Sequence, residues 1–225
     1  WGRGDSESIR KTMSMTYKIS LALSVVFMIA AFSAPEFILS IYTNDADVIV
    51  YGAQYLRVIS LTYLLSGVTM TTLNMLRTVG TVKISLYVYG ASFFVNVFFN
   101  YALIFGKFGA PELGINGAAY ATLISRVVEC ISILVYVVLF EKRVNYRLSL
   151  MLRPGKYLLR DFLRYCLPVI FNETMWGLGT VAYNVIFANI GYEEYAAITI
   201  VKTFENFSFC FFLGLCTACC VMVGK

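Results

Sequence analysis

The chain reads as an all-α membrane protein, and three observations carry that reading: its composition, the length of its apolar runs and the charge of the loops between them. Of its 225 residues, 59% are apolar and 14% charged, where soluble domains run about 45–50% and about 25%. Mean hydropathy is +0.74. The apolar runs are close to the roughly 20 residues that a helix needs to cross a hydrocarbon core about 30 Å thick. A transmembrane β-barrel would instead show alternating segments of about ten residues. These runs are continuous, so helices are predicted.

Composition also narrows the function. Histidine is absent, which excludes imidazole bases, Ser-His-Asp triads and His-ligated metals within this chain. The net charge is +5, yet charged residues are too sparse for a nucleic-acid-binding face. Cys130, Cys166, Cys210, Cys216, Cys219 and Cys220 all lie in or beside apolar runs. They read as small apolar residues of lipid-embedded helices rather than a disulfide or zinc framework. No enzyme and no cofactor are expected. Without an initiator Met, and with an apolar run reaching almost to Lys225, the chain reads as an internal piece of a longer protein.

Six spanning segments are predicted. Segment A (19–42) is broken in its distal third by Pro35 and Glu36. Segment B (58–76) carries no charge between Arg57 and Arg77, and segment C (84–106) none between Lys83 and Lys107. Segment D (114–140) holds Arg126 and Glu129. Segment E (165–190) has Pro168 in its first turn and Glu173 inside, and segment F (195–224) holds Lys202 and Glu205.

Basic residues near helix ends are retained in the cytoplasm, so loop charge orients the bundle. The leader carries Arg3, Arg10, Lys11 and Lys18, the B–C loop Arg77 and Lys83, and the D–E loop Lys142, Arg143, Arg147, Arg153, Lys156, Arg160 and Arg164. With Lys225 these fall on one side of an alternating six-helix path, leaving only Arg57 and Lys107 on the other. The first side is read as cytoplasmic. The D–E loop is long, basic and amphipathic around 157–162, a linker that anionic lipids would attract at about 1 kcal/mol per basic residue.

Some short matches are set aside. Arg3-Gly4-Asp5 spells an integrin-binding tripeptide in a leader predicted to be cytoplasmic. Asn172-Glu173-Thr174 and Asn206-Phe207-Ser208 fit the glycosylation acceptor but fall inside helices.

Charged residues sit inside three of the spans, where each costs about 2.5–3.5 kcal/mol at mid-helix unless it faces a bundle interior or an aqueous path. Arg126/Glu129 and Lys202/Glu205 are each spaced so that the pair can neutralise itself on one helix face. Glu173 has no basic partner within a turn. It lies roughly 12 Å in from the cytoplasmic end of E, and Glu205 roughly 15 Å in from the outer end of F. Both carboxylates are therefore expected near the midplane of adjacent antiparallel helices. Asn172, Glu173, Trp176, Thr180 and Asn184 form a stripe on E; Thr199, Lys202, Thr203 and Asn206 form one on F. A carboxylate-bearing polar face at the midplane is where transporters bind cations and protons. A structural, hydrogen-bonded carboxyl is the other reading of Glu173. Trp176 offers its ring to a cationic organic substrate. The candidate ion-coupling and substrate-binding residues are Glu173, Asn172, Trp176, Thr180, Asn184, Lys202, Glu205 and Asn206. On B and C, Thr62, Ser66, Thr69, Tyr89, Asn96 and Asn100 read as polar contacts between helices.

An ordered series of motifs carries a resemblance. MLRTVGTVK at 75–83, NVFFNYALIFG at 96–106 and FGAPELGINGAAYAT at 108–122 resemble the fourth to sixth helices of the multidrug and toxic-compound extrusion (MATE) family. WGRGD at 1–5 with Ile9-Arg10-Lys11 resembles the family's second cytoplasmic connection. Leu167-Pro168, Asn172-Glu173, Trp176-Gly177-Leu178-Gly179 and Ala196-Ala197 resemble its seventh and eighth helices. The resemblance implies helices three to eight of a twelve-helix, two-lobed transporter: a cytoplasmic connection at 1–18, four N-lobe helices at 19–140, an inter-lobe loop at 141–164 and the first two C-lobe helices at 165–225. It further implies a plasma-membrane protein exporting small amphiphilic or cationic organic compounds in exchange for Na⁺ or H⁺, with Glu173 matching the family's carboxylate on helix seven. Its partners would be that substrate, the lipid bilayer and the remaining helices of the full-length chain. A lipid-linked-precursor flippase of the same superfamily is the alternative, although Arg126 and Lys202 alone supply few cations to hold a pyrophosphate.

The orientation has a direct test in a cysteine-free full-length background. Glu194→Cys is expected to react with an impermeant maleimide from outside, and Lys156→Cys only after permeabilisation. External labelling at 156 would reverse the topology.

Overall fold

The structure, a computed structural model, describes the backbone at 6–139 and 159–223. It describes side chains at 11–139, 164–191, 195–220 and 222–223. Most of the basic loop predicted at 141–164 lies outside the described residues, as do Trp1 to Asp5 and Lys225.

The first predicted segment divides where its sequence says it must. α1 (Ser6–Ser33) stops before Pro35, and α2 (Pro35–Ser40) restarts with that proline in its first turn. Proline has no N–H to continue the first helix, and it suits the first turn of the second, where that donor would have no partner. Ala34, between them, takes a non-helical φ of −133°. α3 (Ala46–Thr78) is capped by Asp45, whose Oδ1 accepts from the amides of Asp47 at 3.0 Å and Val48 at 3.4 Å. Asp47 in its first turn and Arg77 in its last both complement the helix dipole.

Left-handed glycines close the next two helices. At the end of α3, Gly80 (φ 85°) donates to the Arg77 carbonyl and Thr81 to that of Leu76. This paired closure satisfies carbonyls the helix leaves free. α4 (Lys83–Ile104) ends at Gly106 (φ 62°), with the Lys107 amide on the Ala102 carbonyl. α5 (Ile115–Leu139) then returns along α4. Its Gly117 sits against α4 so closely that a Cβ would lie 2.5 Å from the Leu103 carbonyl oxygen.

The buried cluster shows how these helices alternate. Met13 and Tyr17 come from the start of α1, and Leu73, Met75, Leu76 and Val79 from the end of α3 and its cap. Val88 comes from the start of α4, and Ile133 and Val137 from the end of α5. An antiparallel path alone brings those four ends to one side, the side bearing the leader and the B–C loop. Inside this cluster Tyr17 hydrogen-bonds Thr72, which itself donates to the Val68 carbonyl at 2.7 Å. Higher up, Ser20 donates to the Gly67 carbonyl at 3.3 Å and accepts from Thr71 at 3.0 Å. Small residues here let α1 and α3 approach and bond, which is how helices associate where lipid offers no hydrophobic gain.

α6 (Leu159–Ile190) and α7 (Tyr192–Val223) join through Gly191. α6 begins six residues earlier than the predicted 165, so Pro168 stands inside the helix rather than in its first turn. Membrane helices accommodate an internal proline because neighbouring groups take up the freed carbonyl. Partly covered residues of the pair, Asn184, Val185, Phe187, Ala188, Ile198 and Lys202, gather near the Gly191 turn, while most of the rest is exposed.

Among the described residues, five stretches are long and apolar enough to cross a membrane: Lys11–Ser33, Ala46–Thr78, Lys83–Ile104, Ile115–Leu139 and Tyr195–Cys220. The remaining predicted span, segment E on α6, is long enough but not apolar enough. Asn172, Glu173, Thr174, Asn184 and Asn189 lower its hydropathy.

The close approach at Gly117 gives a matched test in detergent. Gly117→Ala pushes a methyl into backbone and is expected to cost about 1–3 kcal/mol. Gly90→Ala meets nothing within 4 Å and should leave the melting temperature unchanged or slightly raised. Equal melting temperatures would refute the α4–α5 register.

Candidate coupling and binding site

Polar side chains gather in two places, and they differ in burial. The first lies between α4 and α5. Ser92, Asn96 and Asn100 recur every four residues along one face of α4, opposite Ser125, Arg126 and Glu129 on α5. Arg126 Nη1 donates to Glu129 Oε2 at 2.8 Å, the ion pair that the spacing predicts. Ser92 Oγ donates to that same oxygen at 3.1 Å and lies 3.3 Å from the Ser125 carbonyl. Asn96 donates to Ser125 Oγ at 3.3 Å, and Asn100 to Asn96 Oδ1 at 2.9 Å. One chain of hydrogen bonds thus ties the two helices together.

Within it Glu129 is 1% exposed while the Arg126 side chain is 35% exposed. The carboxylate is locked in the bundle, and the guanidinium reaches out of it. Glu129 Oε1 is buried without a hydrogen-bond partner, as are the hydroxyl oxygens of Thr69 and Ser85. Tyr89 donates to Met70 Sδ at 3.3 Å, a further α4-to-α3 contact.

The second place is the α6–α7 pair, which holds all the candidate residues read from the sequence. Asn184 and Lys202 are brought together: Lys202 Nζ donates to Asn184 Oδ1 across the hairpin. This corrects the expected Lys202/Glu205 pair, because Asn184 on the facing helix reaches the ammonium first. Among the described residues, no hydrogen bond or ion pair engages the side chain of Glu173 or Glu205. The hairpin is close only near Gly191, and Glu173 stands far down its open part. Asn172, Glu173, Trp176, Glu205 and Asn206 are exposed, Trp176 at 72%.

The hydroxyls of this pair share a polarity. Thr180 donates to the Trp176 carbonyl at 3.1 Å, Thr174 to that of Ile170 at 2.7 Å, and Thr199 and Thr203 to those of Tyr195 and Thr199. Each proton turns into its own helix, which leaves the oxygen lone pairs as acceptors for a cation. Among the described residues, no three of His, Cys, Asp and Glu stand together to hold a metal ion.

Ser92 and Ser125 were not singled out in the sequence. The signal was present: Ser92 extends the Asn96–Asn100 repeat by one turn, and Ser125 lies one turn from Glu129.

Comparison with known proteins bears on both places. The family model MatE matches residues 1–102. A protein described as a probable multidrug resistance protein NorM from Thermotoga maritima is 29% identical over 226 residues, covering 100% of this chain and 48% of its own length. Its namesake from Agrobacterium fabrum is 28% identical, with the same coverage. One from Streptococcus pneumoniae is 33% identical over 122 residues, 54% of this chain and 27% of its own. The chain spans about half the length of the curated relatives that it matches from end to end. No solved structure matches it significantly.

The α4–α5 pair generates its own prediction. Arg126→Ala strands a buried carboxylate and is expected to cost about 1–3 kcal/mol, less than a fully buried pair because Arg126 is partly solvated. Adding Glu129→Leu should recover most of that loss in thermal unfolding. A double variant no more stable than Arg126→Ala would show that the carboxylate is held by something other than Arg126.

Proposed function

Because the chain belongs to the MATE family, we propose that it forms part of an exporter of small amphiphilic or cationic organic compounds, driven by exchange for Na⁺ or H⁺ through alternating access. The observation that carries this reading is the continuity of the similarity. It runs the full length of the chain, through the polar stripe of α6 as well as the apolar spans.

On this reading α6 also crosses the membrane, making six spans, its polar face turned to an aqueous path instead of lipid. Glu173 supplies the only negative charge of that stripe, with Asn172 beside it and Trp176 one turn away. A proton or Na⁺ neutralises the carboxylate, and the Thr180 and Asn172 oxygens are hard donors within the same face. A charged carboxylate favours the cavity open to water, and a neutralised one permits closure. Ion entry and substrate release are thereby tied to one group. Trp176 stacks on the cationic or aromatic part of the substrate. The basic linker at 141–164 and the leader face the cytoplasm, and the protein resides in the cell membrane.

The flippase alternative needs free cations to hold a pyrophosphate. Arg126 is engaged by Glu129 and Lys202 by Asn184, which favours the exporter. The reading is of a transporter, with no catalytic group assigned.

Glu173→Gln in the full-length protein keeps volume and one carbonyl oxygen but removes the charge. Gradient-driven efflux of a fluorescent organic cation is expected to fall to the level of cells lacking the protein, with abundance near wild type. Normal efflux at normal abundance overturns the assignment. Low abundance assigns Glu173 a structural role.

A further inference from the structure

We propose that Glu129 is a site for a monovalent alkali cation, which it binds in exchange for Arg126. The orphaned Oε1 carries the argument. A carboxylate oxygen at 1% residue exposure with no partner is a group that proteins rarely leave unsatisfied, because its desolvation goes uncompensated. The other oxygen is doubly held, by Arg126 at 2.8 Å and Ser92 at 3.1 Å. The site is therefore half filled.

The donor set selects the ligand. The groups gathered there are the two Glu129 oxygens, the Ser92 hydroxyl and the Ser125 carbonyl, all hard oxygen donors. Hard oxygens favour alkali and alkaline-earth ions over transition metals. One carboxylate neutralises one positive charge, so a divalent ion would leave a net charge buried in the span, where any unpaired charge is costly to desolvate. A monovalent cation leaves none.

Charge balance also dictates exchange rather than addition. With Arg126 in place Glu129 is already neutralised, and a second cation would be unpaired. Arg126 can leave: its side chain is 35% exposed, where that of Glu129 is 1%. The guanidinium acts as a tethered cation that occupies the carboxylate until a free ion displaces it. Glu129 lies about 21 Å along α5 from Ile115, well within the span. The role of such a site in transport rests on the ion-coupled reading above, but its ion binding is measured without transport.

The test uses purified full-length protein in detergent, unfolded thermally in NaCl or N-methyl-D-glucamine chloride at equal ionic strength. Arg126→Gln removes the tethered competitor. If Arg126 holds Glu129 about nine-tenths of the time or more, the half-saturating Na⁺ concentration should fall about tenfold or more. The double variant Arg126→Gln/Glu129→Gln should lose that gain. Should Arg126→Gln fail to accumulate, Arg126→Lys, a weaker single-point partner, is expected to shift in the same direction by less. An unchanged half-saturation, a gain that survives Glu129→Gln, or equal stabilisation by N-methyl-D-glucamine would each overturn the proposal. So would a response to pH alone, which would make the occupant a proton. In a Glu173→Gln background the Glu129-dependent shift is expected to persist, so a failure of the coupling assignment and a failure of this site register in separate measurements.

Discussion

Hydrocarbon offers no water to accept a backbone hydrogen bond, and this constraint governs most of what the chain does. Every run that crosses the bilayer must satisfy its amides internally, so each is a helix. The ends then need closing. Asp45 caps the start of α3, Gly80 and Gly106 close α3 and α4 with amides folded back on carbonyls, and Pro35 begins α2 where a missing donor matters least. Each device sits at a helix end, where backbone groups would otherwise be left unsatisfied.

The same lack of water decides how the helices hold each other. Lipid tails are as apolar as leucine, so burying more leucine gains little. α1 and α3 associate instead through Ser20, Gly67, Thr71 and the Tyr17–Thr72 contact. α4 and α5 do so through Gly117 and the run from Asn100 to Glu129. Large apolar side chains such as Phe27, Phe94 and Phe98 point outward, the reverse of a soluble core.

Charge follows suit. Arg126 and Glu129 pair on a single helix, and the same carboxylate oxygen also accepts from Ser92 on the next. Lys202 takes an amide oxygen from across a turn. Glu173 has no such partner on this chain's described surface, and it belongs to a helix whose polar stripe excludes it from the apolar spans. Two behaviours of intramembrane charge thus appear side by side: one sealed between helices, the other displayed along an open face. The first strengthens packing. The second leaves a carboxylate available to whatever shares its face.

Most of the architecture was legible in the residues. Apolar runs bounded by Arg77, Lys83 and Lys107 gave helix ends, Pro35 gave the break, and the spacing of Arg126 and Glu129 gave their ion pair, because each rests on local geometry along one helix. Arg57 was no boundary, since α3 starts at Ala46 on its Asp45 cap, twelve residues before the predicted 58. What lay beyond reach were the contacts between helices. The same spacing rule paired Lys202 with Glu205, yet Asn184, eighteen residues away, takes the ammonium. Depth counted from segment ends put Glu173 and Glu205 each near the midplane, but it carries no information on how the two helices pack, and the covered residues of the pair gather near Gly191. Ser92 became a ligand of Glu129 only when α5 folded back along α4. Sequence by itself determined which segments are helical and which charges need company, since both follow from burying a polar group in lipid. Only the tertiary structure decided who keeps that company, because a partner on another helix depends on rotation and register that no repeat along one chain encodes.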